Sequence, residues 1–194
     1  MQNMHLPRLR AAAHPTARWT YSWKQDRMNI FVLHRDIRTC ARYHTDQHVV
    51  KMILEGTQML CTVLNQNGVE APYKSTHMKH PCTLWTGRSL SNWTWLRKLT
   101  LELNEEFLFR YRKSINHESA SVARELSPPP ISDIGLTEFA QAMPDVYKVP
   151  GNPVQAYRNF YVGEKWRFAT WTRRRTPKWF TEAIRSKAKT HSPA

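Results

Sequence analysis

In the segment from Asp36 to Leu64 the second half, from Val49 on, is mostly apolar, and few folds can house such a segment. Val49, Val50, Met52, Ile53, Leu54, Met59, Leu60, Cys61, Val63 and Leu64 fill most of a helical wheel. Cys40, His44, His48, Lys51, Glu55, Gln58 and Thr62 fall within roughly 80° of one another at about 100° per residue. A helix apolar on three sides is the centre of its domain, and its one polar stripe must find partners or line a cleft. Asp36 is placed to cap this helix, and Asn65-Gln66-Asn67-Gly68 to stop it. The stripe is therefore the first place to look for chemistry.

Around that helix the pattern is mainly α. The run Met28-Asn29-Ile30-Phe31-Val32-Leu33 reads as a short N-terminal strand or extended segment. A short helix is expected around Leu84 and Trp85. A longer one is expected from about Leu90 to Arg112, capped by Ser89 or Ser91, with Leu96, Leu99, Leu103 and Phe107 inward and Glu102, Glu105 and Glu106 facing elsewhere. From His117 to Pro153 six prolines (Pro128, Pro129, Pro130, Pro144, Pro150, Pro153) predict a long irregular arm draped over the domain. Val154 to Thr170 resumes a helical pattern, followed by a basic tail. These readings divide the chain into a basic arm over 1–27, one compact helical domain over 28–180 and a basic tail over 181–194. Residues 1–27 hold no hydrophobic period and read as disordered or as the product of a mis-assigned start. Their Leu6, Leu9 and alanines make too poor an amphipathic face for a mitochondrial-type presequence.

At 194 residues there is room for one ordinary domain. No apolar run reaches the roughly 20 residues a bilayer span needs, so no membrane partner is expected. Three cysteines, Cys40, Cys61 and Cys82, lack both CxxC spacing and an even count, which argues against a disulfide framework and for a reducing cytoplasm. The net charge of +14 points to a polyanionic partner, with nucleic acid ahead of an anionic membrane surface.

The charge concentrates late. From Lys165 to Lys189 nine basic residues stand against one acid, Glu182, and are interleaved with Trp166, Phe168, Trp171, Trp179 and Phe180. Cations neutralise phosphates while flat rings stack on exposed bases, so the mixture suits distorted or single-stranded nucleic acid. Arg158, Lys165, Arg167, Trp171, Arg173, Arg174, Arg175 and Lys178 are the candidate nucleic-acid contacts; a solvated tail pinned by its aromatics is the alternative. Cys40, His44 and His48, at i, i+4 and i+8, together with His77 and His80, are the candidate ligands for a metal such as zinc, but no carboxylate sits in a recognised ligand motif, and neither a metal nor another cofactor is expected. Lys51 and Glu55 at i, i+4 are either a plain helix-surface ion pair or, flanked by apolar side chains, an acid/base group beside an amine, with His48 on the same side.

The stretch Met28-Asn29-Ile30-Phe31-Val32-Leu33, then Asp46-Gln47-His48-Val49-Val50-Lys51-Met52-Ile53-Leu54-Glu55, then His80-Pro81 with Trp85, resembles a family of small, mostly uncharacterised phage-encoded proteins. Gln141-Ala142-Met143-Pro144-Asp145 and an Ala156-Tyr157-Arg158 helix extend the likeness, which runs from Met28 to about Phe180. More distantly, the central helix is similar to that of the phage pyrimidine-dimer DNA glycosylases of the endonuclease V type. In that family an Asp-Gln-His triplet precedes a catalytic Glu by seven positions, and here Asp46-Gln47-His48 precedes Glu55 by the same interval. The family's Gly-His segment and Leu-rich helix correspond loosely to Lys79-His80 and to Leu96 through Arg110. The resemblance implies Glu55 as the catalytic carboxylate and the cytoplasm of an infected bacterial host as the location. The family attacks with the α-amine of residue two; counted from Met28 that residue is Asn29, and Met28-Asn29 is a poor substrate for removal of the initiator Met. The nucleophile therefore stays open, with Lys51 as a substitute that the family itself does not supply.

Three functions follow. The leading one is a DNA-acting enzyme on an extruded or damaged pyrimidine nucleotide, glycosylase/lyase-like or base-modifying, with Glu55, Lys51 and His48 as its catalytic residues. The alternative is a non-catalytic nucleic-acid-binding protein. The third is a metal-dependent hydrolase acting on nucleotides.

Overall fold

A computed structural model describes residues 28–190; the readings of residues 1–27 and of the last four residues lie outside it. The architecture is mainly α, with no strand among the described residues. Seven helices surround one core: α1 Ile37–Tyr43, α2 Asp46–Gln66, α3 Pro81–Gly87, α4 Leu90–Tyr111, α5 Glu118–Glu125, α6 Pro153–Phe160 and α7 Lys178–Thr190.

The long helix expected from Asp36 is in fact two. Asp36 does cap, accepting the Thr39 N–H at 2.8 Å, but α1 ends after two turns, and His44 and Thr45 are extended. The cause is tertiary. Arg110 of α4 takes the His44 carbonyl at 2.8 Å and the Arg42 carbonyl at 2.9 Å, and the Asp46 N–H donates to the Thr170 carbonyl at 2.9 Å. These partners satisfy the groups that a helix end leaves open.

The second helix, α2, is the buried centre the pattern requires, and Gly68 (φ 76°) turns the chain out of it. It lies tightly on α4: a Cβ at Gly56 would stand 2.4 Å from Thr100 Oγ1. Leu96, Leu99 and Leu103 of α4 are buried as expected, while Phe107 is half-buried. Ser89 is the N-cap residue, yet its hydroxyl does not cap. It donates to Asp133 Oδ1 at 2.9 Å, and that same oxygen takes the Ser91 N–H at 3.2 Å, so the arm supplies the cap. Of the three glutamates expected to face outward, Glu105 is exposed but Glu106 is buried against Arg110 and Arg174.

In place of a strand, Met28 to Leu33 forms an extended, unpaired segment buried under the helices. Its apolar side chains belong to the core itself, and its backbone finds side-chain partners: the Leu33 N–H meets Cys40 Sγ at 3.3 Å, and the Cys40 thiol donates to the Phe31 carbonyl at 3.5 Å. Phe31 holds φ 40°. The arm contains α5, capped by His117, whose Nδ1 accepts the Ser119 N–H at 3.2 Å and whose Ala120 and Ala123 pack inward; only residues 126–152 are irregular apart from one 3-10 turn at Asp145–Tyr147. After α6 the chain continues as a π turn over Tyr161–Lys165 and a 3-10 turn over Trp166–Phe168. Of the expected tail, residues 181–190 belong to α7, whose first turn holds buried Phe180 and half-buried Trp179.

Candidate active site

Glu55 is 8% exposed on α2, one turn after Lys51. Its Oε1 lies 3.4 Å from Lys51 Nζ, and its Oε2 accepts the backbone N–H of Asn29 at 3.1 Å. Asn29 is in turn the knot of the site. Its Nδ2 donates to the Ala142 carbonyl at 2.8 Å, and its Oδ1 accepts the Ile30 N–H at 2.9 Å and lies 2.8 Å from the Tyr157 hydroxyl. That hydroxyl is also 2.8 Å from the Ala140 carbonyl. Burial holds the Tyr157 phenol well above its usual range, so it stays a neutral donor. The thiol of Cys82, on α3, approaches Asn29 Oδ1 at 3.7 Å. The carboxylate is thus held by the extended N-terminal segment, which α6, α3 and the arm hold in place. Sequence reasoning missed Asn29 and Tyr157; the signal was there in a lone amide inside an otherwise apolar run of six.

His48, expected as a catalytic residue with Lys51 and Glu55, has its ring engaged by Phe31 and Tyr161. Its ring is 2% exposed and stacked on Phe31, with centroids 4.4 Å apart and planes 10° apart, and its Nδ1 lies 2.6 Å from the Tyr161 hydroxyl. Phe168 closes the box edge-on at 5.7 Å. Burial, helped by the nearby His44, Lys165 and Lys51, holds its pKa well below 6.5, so the ring is neutral. At the lower end of the stripe Thr62 Oγ1 takes the Thr76 N–H at 3.1 Å and bonds the Gln58 carbonyl at 2.7 Å.

The five metal candidates are dispersed. Cys40 is buried with its thiol raised to about 11 by desolvation. His44 Nδ1 lies 2.8 Å from the Cys40 carbonyl, which only accepts, so Nδ1 carries the proton; Nε2 is buried without a partner, and burial lowers the ring's pKa to about 4. His77 is exposed and bonded to Thr76 Oγ1 at 2.7 Å, while His80 caps α3 by accepting the Cys82 N–H at 3.2 Å. Among the described residues no group of three or more His, Cys, Asp or Glu is arranged to hold a metal ion.

The candidate nucleic-acid residues separate into tied and presented ones. Trp171 is buried and donates its indole N–H to the Tyr43 carbonyl at 3.0 Å. Arg174 grips Glu106 with two bonds, at 3.0 and 2.7 Å. Next to it Arg110, wholly buried, bonds Glu106 at 3.0 Å and Asp46 at 3.1 Å. Asp46 further accepts the Thr172 N–H and hydroxyl, each at 2.9 Å. Asp46, the first residue of the Asp-Gln-His triplet, therefore fastens the 170–174 segment to the start of α2. Arg173 lies over the Phe109 ring at 4.4 Å. Lys165 is 5% exposed, its ammonium 5.0 Å from the centre of the Phe160 ring, and Arg158 is half-buried between Tyr43 and Trp179. Arg167, Arg175 and Lys178 are exposed.

No family model, curated protein or solved structure matches the chain. No helix among the described residues is long and apolar enough to cross a membrane.

Proposed function

We propose that this protein is a DNA-acting enzyme that handles an extruded or damaged pyrimidine nucleotide, with Glu55 as its central carboxylate. The observation that carries the reading is the 3.1 Å bond from the Asn29 N–H to Glu55 Oε2. In the glycosylase family that the central helix resembles, the attacking group is the amine of residue two. Here the group that meets the carboxylate is the peptide N–H of Asn29, an amide that fixes the carboxylate but cannot itself attack, so the nucleophile stays open. A carboxylate so placed stabilises a developing sugar cation or relays a proton at C1′, and Lys51, 3.4 Å away, supplies either an amine nucleophile or a phosphate clamp. Excess positive charge supports a polyanionic substrate.

The test is borohydride trapping of the full chain on abasic and ultraviolet-damaged duplexes. A covalent adduct, together with strand nicking that Glu55→Gln abolishes, is the expected result. Absence of both adduct and nicking on every duplex leaves the second reading, a nucleic-acid-binding protein without chemistry. That reading is favoured by the near-complete burial of Glu55.

A further inference from the structure

A cleft of about 320 Å³ opens between the 145–147 turn, α6 and α7, away from Glu55. Tyr147 and Trp179 give it aromatic walls, Gln155 and Asn159 give it amides, and Arg158 and Lys187 give it positive charge. Arg158 differs from Arg110 and Arg174. Arg110 and Arg174 are neutralised by Asp46 and Glu106. Arg158 instead donates Nε to the Leu33 carbonyl at 3.1 Å and is held over the rings of Trp179 at 5.2 Å and Tyr43 at 5.9 Å, with no carboxylate pairing it among the described residues. A guanidinium fixed this way and left without a counter-charge is preorganised for an anion.

The opposite wall is equally fixed. The π turn at Tyr161–Lys165 places Gly163 against Tyr147, where a Cβ would stand 2.4 Å from the ring, and the Tyr147 hydroxyl donates to Glu164 at 2.6 Å. Such turns recur at functional sites. Gln155 Nε2 donates to Asn159 Oδ1 at 2.8 Å, which leaves Gln155 Oε1 as an acceptor and Asn159 Nδ2 as a donor among the groups of the cleft. A wall that offers both an acceptor and a donor suits the edge of a base.

We infer that this cleft is a subsite for one nucleotide unit of a nucleic-acid strand. Arg158, with Lys187, takes the phosphate; the base lies against Tyr147 and Trp179 with its edge toward Gln155 and Asn159. The inference rests on the nucleic-acid partner of the proposed function but not on Glu55 chemistry.

The test uses the full chain and a fluorescein-labelled five-nucleotide oligothymidylate followed by anisotropy, with thymidine 5′-monophosphate and inorganic phosphate as competitors. Arg158→Gln and Lys187→Gln should each weaken binding several-fold and reduce the salt slope by about 0.7, the value for one phosphate contact on a single strand. Tyr147→Ala should cost roughly tenfold through lost stacking. Thymidine monophosphate should compete at lower concentration than phosphate. Lys187 and Gln155 are exposed, so Lys187→Gln and Gln155→Ala test the cleft without endangering the fold. Unchanged affinity and slope in both overturn the subsite; phosphate competing as well as the nucleotide overturns its base-binding part. Glu55→Gln should bind the oligomer as the wild type does. Full turnover in Glu55→Gln, with cleft variants still impaired in binding, overturns the catalytic reading alone.

Discussion

Asn29 and Glu55 are 26 positions apart, yet the backbone N–H of the first donates to the carboxylate of the second at 3.1 Å. The bond joins an extended, fully buried segment to the central helix. It adds a backbone amide to what a helical wheel shows as an i, i+4 ion pair.

If that arrangement is the reaction centre, Glu55→Gln keeps shape and an acceptor oxygen while removing the charge. Turnover on damaged or abasic duplex should fall about 100-fold or more, with DNA affinity nearly unchanged. Lys51→Ala should abolish a borohydride-trapped adduct if the lysine is the amine; an adduct that survives assigns the amine elsewhere. A Glu55→Gln protein that differs only in melting temperature removes the centre from the enzyme reading.

Stability should depend on pH through His44 and His48. Both are buried and neutral, with pKa values below the ordinary 6.5, His44 at about 4. The unfolded chain therefore takes up these protons first, so their contribution is complete above pH 6.5 and is lost as pH falls toward 4. For His44 alone the loss over that interval is about 3 kcal/mol. Asp46 and Asp133, both lowered from the ordinary 3.8, act only at more acidic pH. Urea unfolding at pH 7.5, 6 and 5 measures this, and a free energy that stays level across the series rejects it.

Removing Arg110 should be severe. It is wholly buried and serves Asp46, Glu106 and two backbone carbonyls. Arg110→Met leaves buried carboxylates short of a partner, which costs about 3 to 5 kcal/mol in comparable sites. Arg110→Lys should recover little, because a point charge cannot reach four acceptors in a fork. A denaturation midpoint close to wild type in either variant would show that the network is dispensable.

Gly56→Ala should destabilise by about 1 to 3 kcal/mol, because the new methyl meets Thr100 Oγ1 at 2.4 Å where α2 crosses α4. Adding Thr100→Ala removes the obstructing hydroxyl and should restore part of the loss. Strictly additive effects in that double-mutant cycle would mean that the two residues do not set the crossing.

Salt dependence should sort the basic residues by their partners. Arg175 and Lys178 are exposed, so replacing each with Ala should reduce the slope of log affinity against log salt by roughly 1 if each touches a phosphate. Arg174, engaged by Glu106, should instead show its loss in the melting curve. A slope change in Arg174→Ala as large as in Arg175→Ala would mean that the Glu106 pair opens on binding.

The sequence by itself determined the mainly helical fold, the buried α2, the turn at Gly68 and the Lys51–Glu55 pair, because periodicity, capping and i, i+4 spacing are local properties. It also placed Cys40, His44 and His48 on one polar stripe without revealing that the stripe breaks at His44. Only the tertiary structure decided that break, since it depends on Arg110, 66 positions away, taking a carbonyl that a continuous helix would have used. The same holds for Glu106, which looks like one of three surface acids until Arg110 and Arg174 close on it, and for His48, whose hydrogen bond goes to Tyr161, 113 positions later. Asn29 is the sharpest case. A polar residue in an apolar run announces that something must satisfy it, but its partners at Glu55, Ala142 and Tyr157 come from three distant segments. A long-range hydrogen bond leaves no period in one sequence; it exists only once the core has brought its two ends together.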